Sequence, residues 1–164
     1  MDIAPLFAAS VAIQLHVGAA LAALALIPVI LVRRKGDRLH MLTGRVWTLA
    51  MALTALSSFA VHEIRLFGPF SPIHFLSLLT LYSLFGAIYQ VRRGRITAHK
   101  KHMQGAMVGL VGAGLFTLLP GRLMSDVMFK GVEVPGFAVS LGLSVVALIL
   151  WRWMGRAGGG STPA

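Results

Sequence analysis

The chain has 164 residues, of which 57% are hydrophobic and 12% charged, and its mean hydropathy is +0.80. A water-soluble domain of this length cannot bury so much apolar surface, so the composition excludes that class and predicts a protein of the lipid bilayer. The net charge of +10 does not indicate nucleic-acid binding, because the basic residues lie in short loops between apolar runs.

Five apolar runs predict five transmembrane helices, each close to the ~20 residues that a helix needs to cross a bilayer. They cover residues 12–32, 42–61, 73–91, 103–119 and 136–153. The first run ends at the basic sequence "RRK" and has no basic segment before it, so we expect a retained span rather than a cleaved signal peptide. The fourth run reaches full length only if its helix begins near Thr97, a good N-cap residue. The predicted fold is an all-α bundle in one domain over residues 1–157, followed by a flexible tail at 158–164.

Lysine and arginine are distributed unevenly between the loops. Twelve lie in the loops 33–45 and 92–101 and at the C-terminal end, where Arg152 ends the fifth run and Arg156 follows it, whereas Arg65, Arg122 and Lys130 lie on the other side. Because cytoplasmic loops carry an excess of basic residues, we predict an N-terminus outside and a C-terminus inside, in a bacterial-type inner membrane. No acidic residue lies within a predicted span, which disfavours a proton-coupled transporter.

The histidines fall into two layers along the predicted helices. The outer layer, on helices one to three, contains His16, His62 and His74, and the inner layer, on helices two and four, contains His40, His99 and His102. The 22 residues from His40 to His62 would rise about 30 Å along a helix, which matches the hydrocarbon thickness of a bilayer. The pattern therefore predicts a pair of histidines near each membrane face.

Histidine pairs on facing helices are typical of haem sites, because haem iron accepts one imidazole from each side of the porphyrin. We expect His16 and His74 to bind an outer haem b, and His40 to bind an inner one with either His102 or His99. Small residues at helical spacing from these ligands would leave room for a flat ring, and cations would bind its propionates. The candidates are Gly44, Gly105 and Gly109, and then Arg45, Lys100 and Lys101 inside and Arg65 and Arg122 outside. The predicted function is electron transfer across the membrane between an unidentified donor and acceptor, without an acid, base or nucleophile.

Two other interpretations stay open on the residues alone. The outer histidines, with Glu63 or Asp126, offer three ligands and an open position for Zn²⁺ in a membrane-embedded hydrolase. No HExxH spacing supports that function, and the absence of cysteine excludes thiolate ligands. The third interpretation is a non-catalytic membrane subunit or assembly factor with other membrane subunits as partners. Histidines are common at membrane interfaces, and glycines are common where helices pack closely.

Four elements follow one another in the chain: a histidine in the first span, "HMLTGRVW", "FSPIH" and "RRGRITAHKKHM". Over about residues 12–125 this order resembles the bacterial membrane proteins grouped as domain of unknown function 2306. Members show a His-Arg-x-x-Gly-Arg element, which here begins at His40 with Met41 in place of Arg, and a His-Arg-x-x-Met element, which begins at His99 with Lys100 in place of Arg. The resemblance implies His99 as the family position but no particular activity. In layout the chain is also similar to the two-haem transmembrane cytochromes b that move electrons from ascorbate across membranes.

Overall fold

The computed structural model describes residues 3–61, 72–118 and 123–129, together with positions 142 and 145. All regular structure in this part of the chain is helical, which confirms the predicted all-α class there. The helices are α1 (Ala4–Ala8), α2 (Val11–Val32), α3 (Arg38–Ser57) with a 3-10 turn (Ser58–Ala60), α4 (Pro72–Arg92), α5 (Ile96–Phe116) and α6 (Leu123–Phe129).

Four of the predicted spans coincide with long helices. α2 and α4 match the runs at 12–32 and 73–91 within one residue at each end. α3 begins before the run at 42–61, because the Asp37 carboxylate accepts a hydrogen bond of 2.6 Å from the backbone N–H of His40 and caps the helix. α5 begins at Ile96, within one residue of the predicted start near Thr97, which confirms that the fourth helix extends before its apolar run. Thr97 itself lies inside the first turn and is not the N-cap. The fifth run lies outside the described residues, except for positions 142 and 145.

Two helices in the described part of the chain, Val11–Val32 and His74–Arg92, are long and apolar enough to cross a membrane. Only 17% and 22% of their apolar windows are buried inside the protein. The core helix of a water-soluble protein is mostly buried, so the low burial distinguishes these two helices from that class. The remaining spans of the five-helix bundle stay predictions.

The chain folds as two compact units, residues 6–110 on one hand and residues 1–5 with 111–164 on the other. In the unit of residues 6–110, α2 packs against α3, α3 packs against α4, and both α2 and α4 contact the 3-10 turn. The core of this unit comprises Ala23, Ile30, Trp47, Met51, Leu84, Ala106, Met107 and Leu110. In the other unit, α6 contains the buried residues Ser125 and Val127. The single domain over residues 1–157 stays a prediction.

Two short turns lie at the same end of the unit of residues 6–110. The turn after α2 contains Gly36 with φ +89°, and the turn after α4 contains Gly94 with φ +70°, a backbone region that glycine adopts without strain. The turns share one end because consecutive helices are antiparallel: the start of α5 bonds to the end of α4, and the end of α3 bonds to the start of α4. We call this end, formed by residues 33–45 and 92–102, the basic end.

Candidate functional site

His16 connects α2 to α3 at the end opposite the basic end. Its Nδ1 lies 2.9 Å from the carbonyl oxygen of Thr54 and 3.2 Å from Oγ of Ser57. A carbonyl oxygen can only accept, so Nδ1 carries the proton and Nε2 carries the lone pair. Histidines that bind metals commonly donate their other N–H to a backbone carbonyl in this way. The contact therefore suits both a link between two helices and the tautomer of a metal ligand.

His74 lies in the first turn of α4 and is 5% exposed. Its ring centroid lies 5.5 Å from that of Phe59 in the 3-10 turn. One turn further along α4, the Ser77 hydroxyl lies 2.6 Å from the Ser58 hydroxyl. His16 and His74, the predicted outer pair, therefore contact the same short segment at the end of α3, the one from α2 and the other from α4.

The zinc interpretation depends on residues that the structure does not describe. His62 and Glu63 lie outside the described residues, as do Arg65 and Arg122, and the side chain of Asp126 is not described. Among the described residues, no group of three histidine, aspartate or glutamate side chains could hold a metal ion. The outer zinc cluster stays a prediction.

His40 and His99 face the interior at the basic end. The Nδ1 of His99 lies 3.0 Å from the carbonyl oxygen of Ala87 on α4, so the lone pair of this ring is on Nε2. The Nδ1 of His40 is buried and has no hydrogen-bond partner. Burial lowers the pKa of His40, and the charges of Lys35 and His99 lower it further, against the opposing effect of Asp37. His40, which precedes the apolar run of α3, is therefore a neutral imidazole, the form that binds metals.

Two more buried polar atoms, Nε1 of Trp47 and Oε1 of Gln90, have no hydrogen-bond partner. Trp47 is fully buried and follows His40 by seven residues on the same face of α3. Gln90 follows Ala87 by three residues on α4. An unpaired buried donor or acceptor costs about 1–3 kcal/mol. Water or a bound molecule would complete each of these atoms of His40, Trp47 and Gln90.

His102 packs against the backbone of α4 at Gly86. A Cβ added to Gly86 would lie 2.7 Å from Cε1 of His102 and 2.9 Å from each of its ring nitrogens. The His102 ring also meets the Tyr82 ring edge-on, at a centroid distance of 6.0 Å. His102 is thus enclosed by α4, whereas His99 is the histidine whose charge acts on His40.

The glycines predicted beside the ligands have different surroundings. A Cβ added to Gly44 or Gly105 would meet no heavy atom within 4 Å, and one added to Gly109 would meet only Leu76, at 3.8 Å. Gly44 is half-buried, Gly105 is exposed, and so is Arg45. The haem-facing role of Gly44 stays a prediction, since Gly105, which is exposed, has the same open surroundings. The glycine that permits close helix packing is Gly86, which hydropathy and histidine spacing did not single out.

A family model described as "Predicted membrane protein (DUF2306)" matches residues 13–153. The matched range contains all six histidines and extends through the fifth apolar run. No curated protein and no solved structure matches the chain significantly.

Proposed function

The chain belongs to the DUF2306 family of predicted membrane proteins, and within this family we propose that it is a b-type dihaem protein that transfers electrons across the membrane. One observation carries the proposal. At the basic end, the buried Nδ1 of His40 lacks a partner, and His99 beside it holds its Nδ1–H on the carbonyl of Ala87. A pair of imidazoles is the donor set that haem iron accepts.

In this proposal His40 and His99 bind one haem b, and His16 and His74 bind the other. The bound group supplies one-electron transfer between its ferric and ferrous states. The carbonyls of Ala87 and Thr54 orient the rings of His99 and His16 and make their Nε2 atoms more basic. No residue has to act as an acid, a base or a nucleophile.

The surroundings of His40 supply space and charge for the same ligand. Gly44 follows His40 by one helical turn and leaves open space on that face of α3. The guanidinium of Arg45 and the ammonium groups of Lys100 and Lys101 are exposed at the basic end, where they can bind propionate carboxylates. Arg65 and Arg122, which lie outside the described residues, stay the sequence-based candidates for the propionates of the outer haem.

The proposal includes five spans with the N-terminus outside, which the distribution of basic residues supports. Because the chain has no cysteine of its own, single cysteines report the topology directly. Gly68→Cys and Gly131→Cys should react with a membrane-impermeant maleimide in intact cells, and Arg92→Cys should react only after permeabilisation. Reaction of Arg92→Cys in intact cells would reverse the orientation and exchange the two faces assigned to the histidine pairs.

A reduced-minus-oxidised visible spectrum of the purified protein tests the proposed cofactor. After expression with ample haem, we expect a haem-to-protein ratio of about two, one for each histidine pair. A ratio near zero would overturn the proposal. Metal analysis of a colourless sample then separates a zinc protein from a metal-free one. A metal-free sample would leave His16 with a structural role, linking α2 to α3 through Thr54 and Ser57.

A further inference from the structure

The basic end carries far more positive than negative charge. Its segments 33–45 and 92–101 contain ten basic residues and one acidic residue, Asp37. The Asp37 carboxylate is already engaged by the backbone N–H of His40 and by Arg33 at 2.7 Å, and these contacts lower its pKa. The other cations of the basic end therefore have no carboxylate partner among the described residues.

Some of these cations are held by other groups of the chain. Lys35 donates from Nζ to the carbonyl of Leu31 at 3.0 Å and also to that of Ile30, at the end of α2. The guanidinium of Arg93 lies 4.6 Å from the centre of the Tyr89 ring. Three other cations are exposed: Arg95, Lys100 and Lys101. Their side chains form no hydrogen bond or ion pair in the described part of the protein.

The two basic turns lie close to each other. Burial and the nearby charge of Lys100 lower the pKa of Lys35, so the ammonium groups of the two turns repel each other. Such repulsion falls when an anion binds between like charges. The charge of the basic end is therefore complementary to an anionic partner.

A depression at the α4–α5 turn provides a place for the anion. Its volume is about 560 Å³, and it is lined by Gly94, Arg95, Ile96, Thr97, Ala98 and Lys101. Small-molecule sites range from about 300 to 1,000 Å³, so the depression is large enough for a phosphate group with its glycerol substituents. Two of the lining side chains are cationic, and Thr97 adds a hydroxyl.

Apolar surface next to this depression distinguishes a lipid from a free anion. Ile96 lines the depression and is 50% exposed, and Val91, in the last turn of α4, is 41% exposed. Ile88, one turn before Val91 on the same side of α4, is also 41% exposed. An acyl chain can lie along this side of α4 while its phosphate stays at the turn, whereas inorganic phosphate would leave that surface uncovered.

We propose that the depression at the α4–α5 turn binds the phosphodiester headgroup of an anionic phospholipid. Arg95 and Lys101 donate to the phosphate oxygens, and Lys100 adds positive charge toward the α2–α3 turn. Lys100 and Lys101 are also the candidates for the propionates of the proposed inner haem, whereas Arg95 is not. The inference does not rest on haem binding, because none of the three side chains is needed to bind iron.

The test compares the full-length protein in vesicles of phosphatidylcholine that contain spin-labelled phosphatidylglycerol or spin-labelled phosphatidylcholine. Electron paramagnetic resonance gives the immobilised fraction of each lipid. For wild type we expect a preference for phosphatidylglycerol of about fivefold or more, the factor typical of one basic residue near an anionic surface. Arg95→Gln with Lys100→Gln and Lys101→Gln should reduce the preference nearly to one. If this triple variant does not fold, Lys101→Gln alone should still lower the preference at least twofold, an order-of-magnitude expectation for one lost cation.

A matched control removes the same charge from the basic end but leaves the depression intact. Arg34→Gln with Arg38→Gln and Arg45→Gln should keep most of the preference. Equal loss in both triple variants would show diffuse attraction to the surface and overturn the site. Complete displacement of the labelled lipid by millimolar inorganic phosphate would show that the depression binds the free anion. That result would overturn the proposal of a phospholipid site. The haem-to-protein ratio of the same samples separates the two proposals: haem-loaded wild type without lipid preference refutes the lipid site alone.

Discussion

Gly86→Ala is expected to lower the free energy of unfolding by about 1–3 kcal/mol relative to a control glycine, the usual cost of overpacking a close contact. The new Cβ would lie within 3 Å of three ring atoms of His102, so the whole ring has to leave its position over α4. When the His102 ring moves away from Gly86, it also loses its contact with the Tyr82 ring. Unfolding in mixed micelles with increasing sodium dodecyl sulfate, followed by circular dichroism, measures the change.

Gly105→Ala is the matched control, because it makes the same substitution in α5 at a position with no heavy atom within 4 Å. This control should gain up to about 1 kcal/mol from the higher helix propensity of alanine. Combining Gly86→Ala with His102→Ala removes the overlap, so the loss caused by Gly86→Ala should disappear in the His102→Ala background. Equal stability of the Gly86→Ala and Gly105→Ala variants would mean that the His102 ring does not sit over Gly86.

Hydropathy predicted the ends of α2 and α4 within one residue, because in these two helices the apolar run and the helical backbone cover the same residues. The apolar runs at 42–61 and 103–119 begin after the helices α3 and α5 do, because such runs report where an apolar environment begins rather than where backbone hydrogen bonds begin. Only the start of α5 was predicted, from Thr97. Asp37 starts α3 through a polar cap, and the first two turns of α5 contain the polar or charged residues Thr97, His99, Lys100, Lys101 and His102. The cap at Asp37 was readable from the sequence, since a carboxylate before a helix accepts its free N–H groups.

The positions of the candidate histidines along the helices could be predicted from the sequence. The hydrogen bonds that their side chains form could not. Helical rise alone puts His40 and His99 at one end of the bundle and His16 at the other. Their hydrogen bonds, however, go to the backbone carbonyls of Ala87 and Thr54, and a carbonyl is present at every residue, so no residue type signals it. Helical spacing from His102 selected Gly105 and Gly109 on the same helix, α5. The His102 ring instead lies close to Gly86 on the neighbouring helix α4. The small pair Gly86–Ala87 within a bulky run was the available signal.

His99→Ala should remove one of two bound haems, and His102→Ala should remove neither. The reason is the different surroundings of the two rings. The contact of Nδ1 of His99 with the carbonyl of Ala87 leaves Nε2 for a ligand, while Cε1 and both nitrogens of the His102 ring lie against α4 at Gly86. The haem-to-protein ratio is expected to fall from about two to about one in the His99→Ala and His40→Ala variants. Loss of one haem in His102→Ala instead would exchange the roles of the two histidines.

Gly44→Leu distinguishes a bound ring from helix packing at the same site. A Cβ at Gly44 meets no heavy atom within 4 Å, so the first atom of a leucine side chain overlaps nothing that the described chain places there. Leucine also has the higher helix propensity, so the free energy of unfolding of the haem-free protein should stay equal or rise. A porphyrin beside His40 would occupy the space that the leucine side chain fills. The expected outcome is therefore a haem ratio of about one together with undiminished stability of the haem-free protein. A drop in that stability without any change in haem content would instead assign Gly44 to contacts between helices.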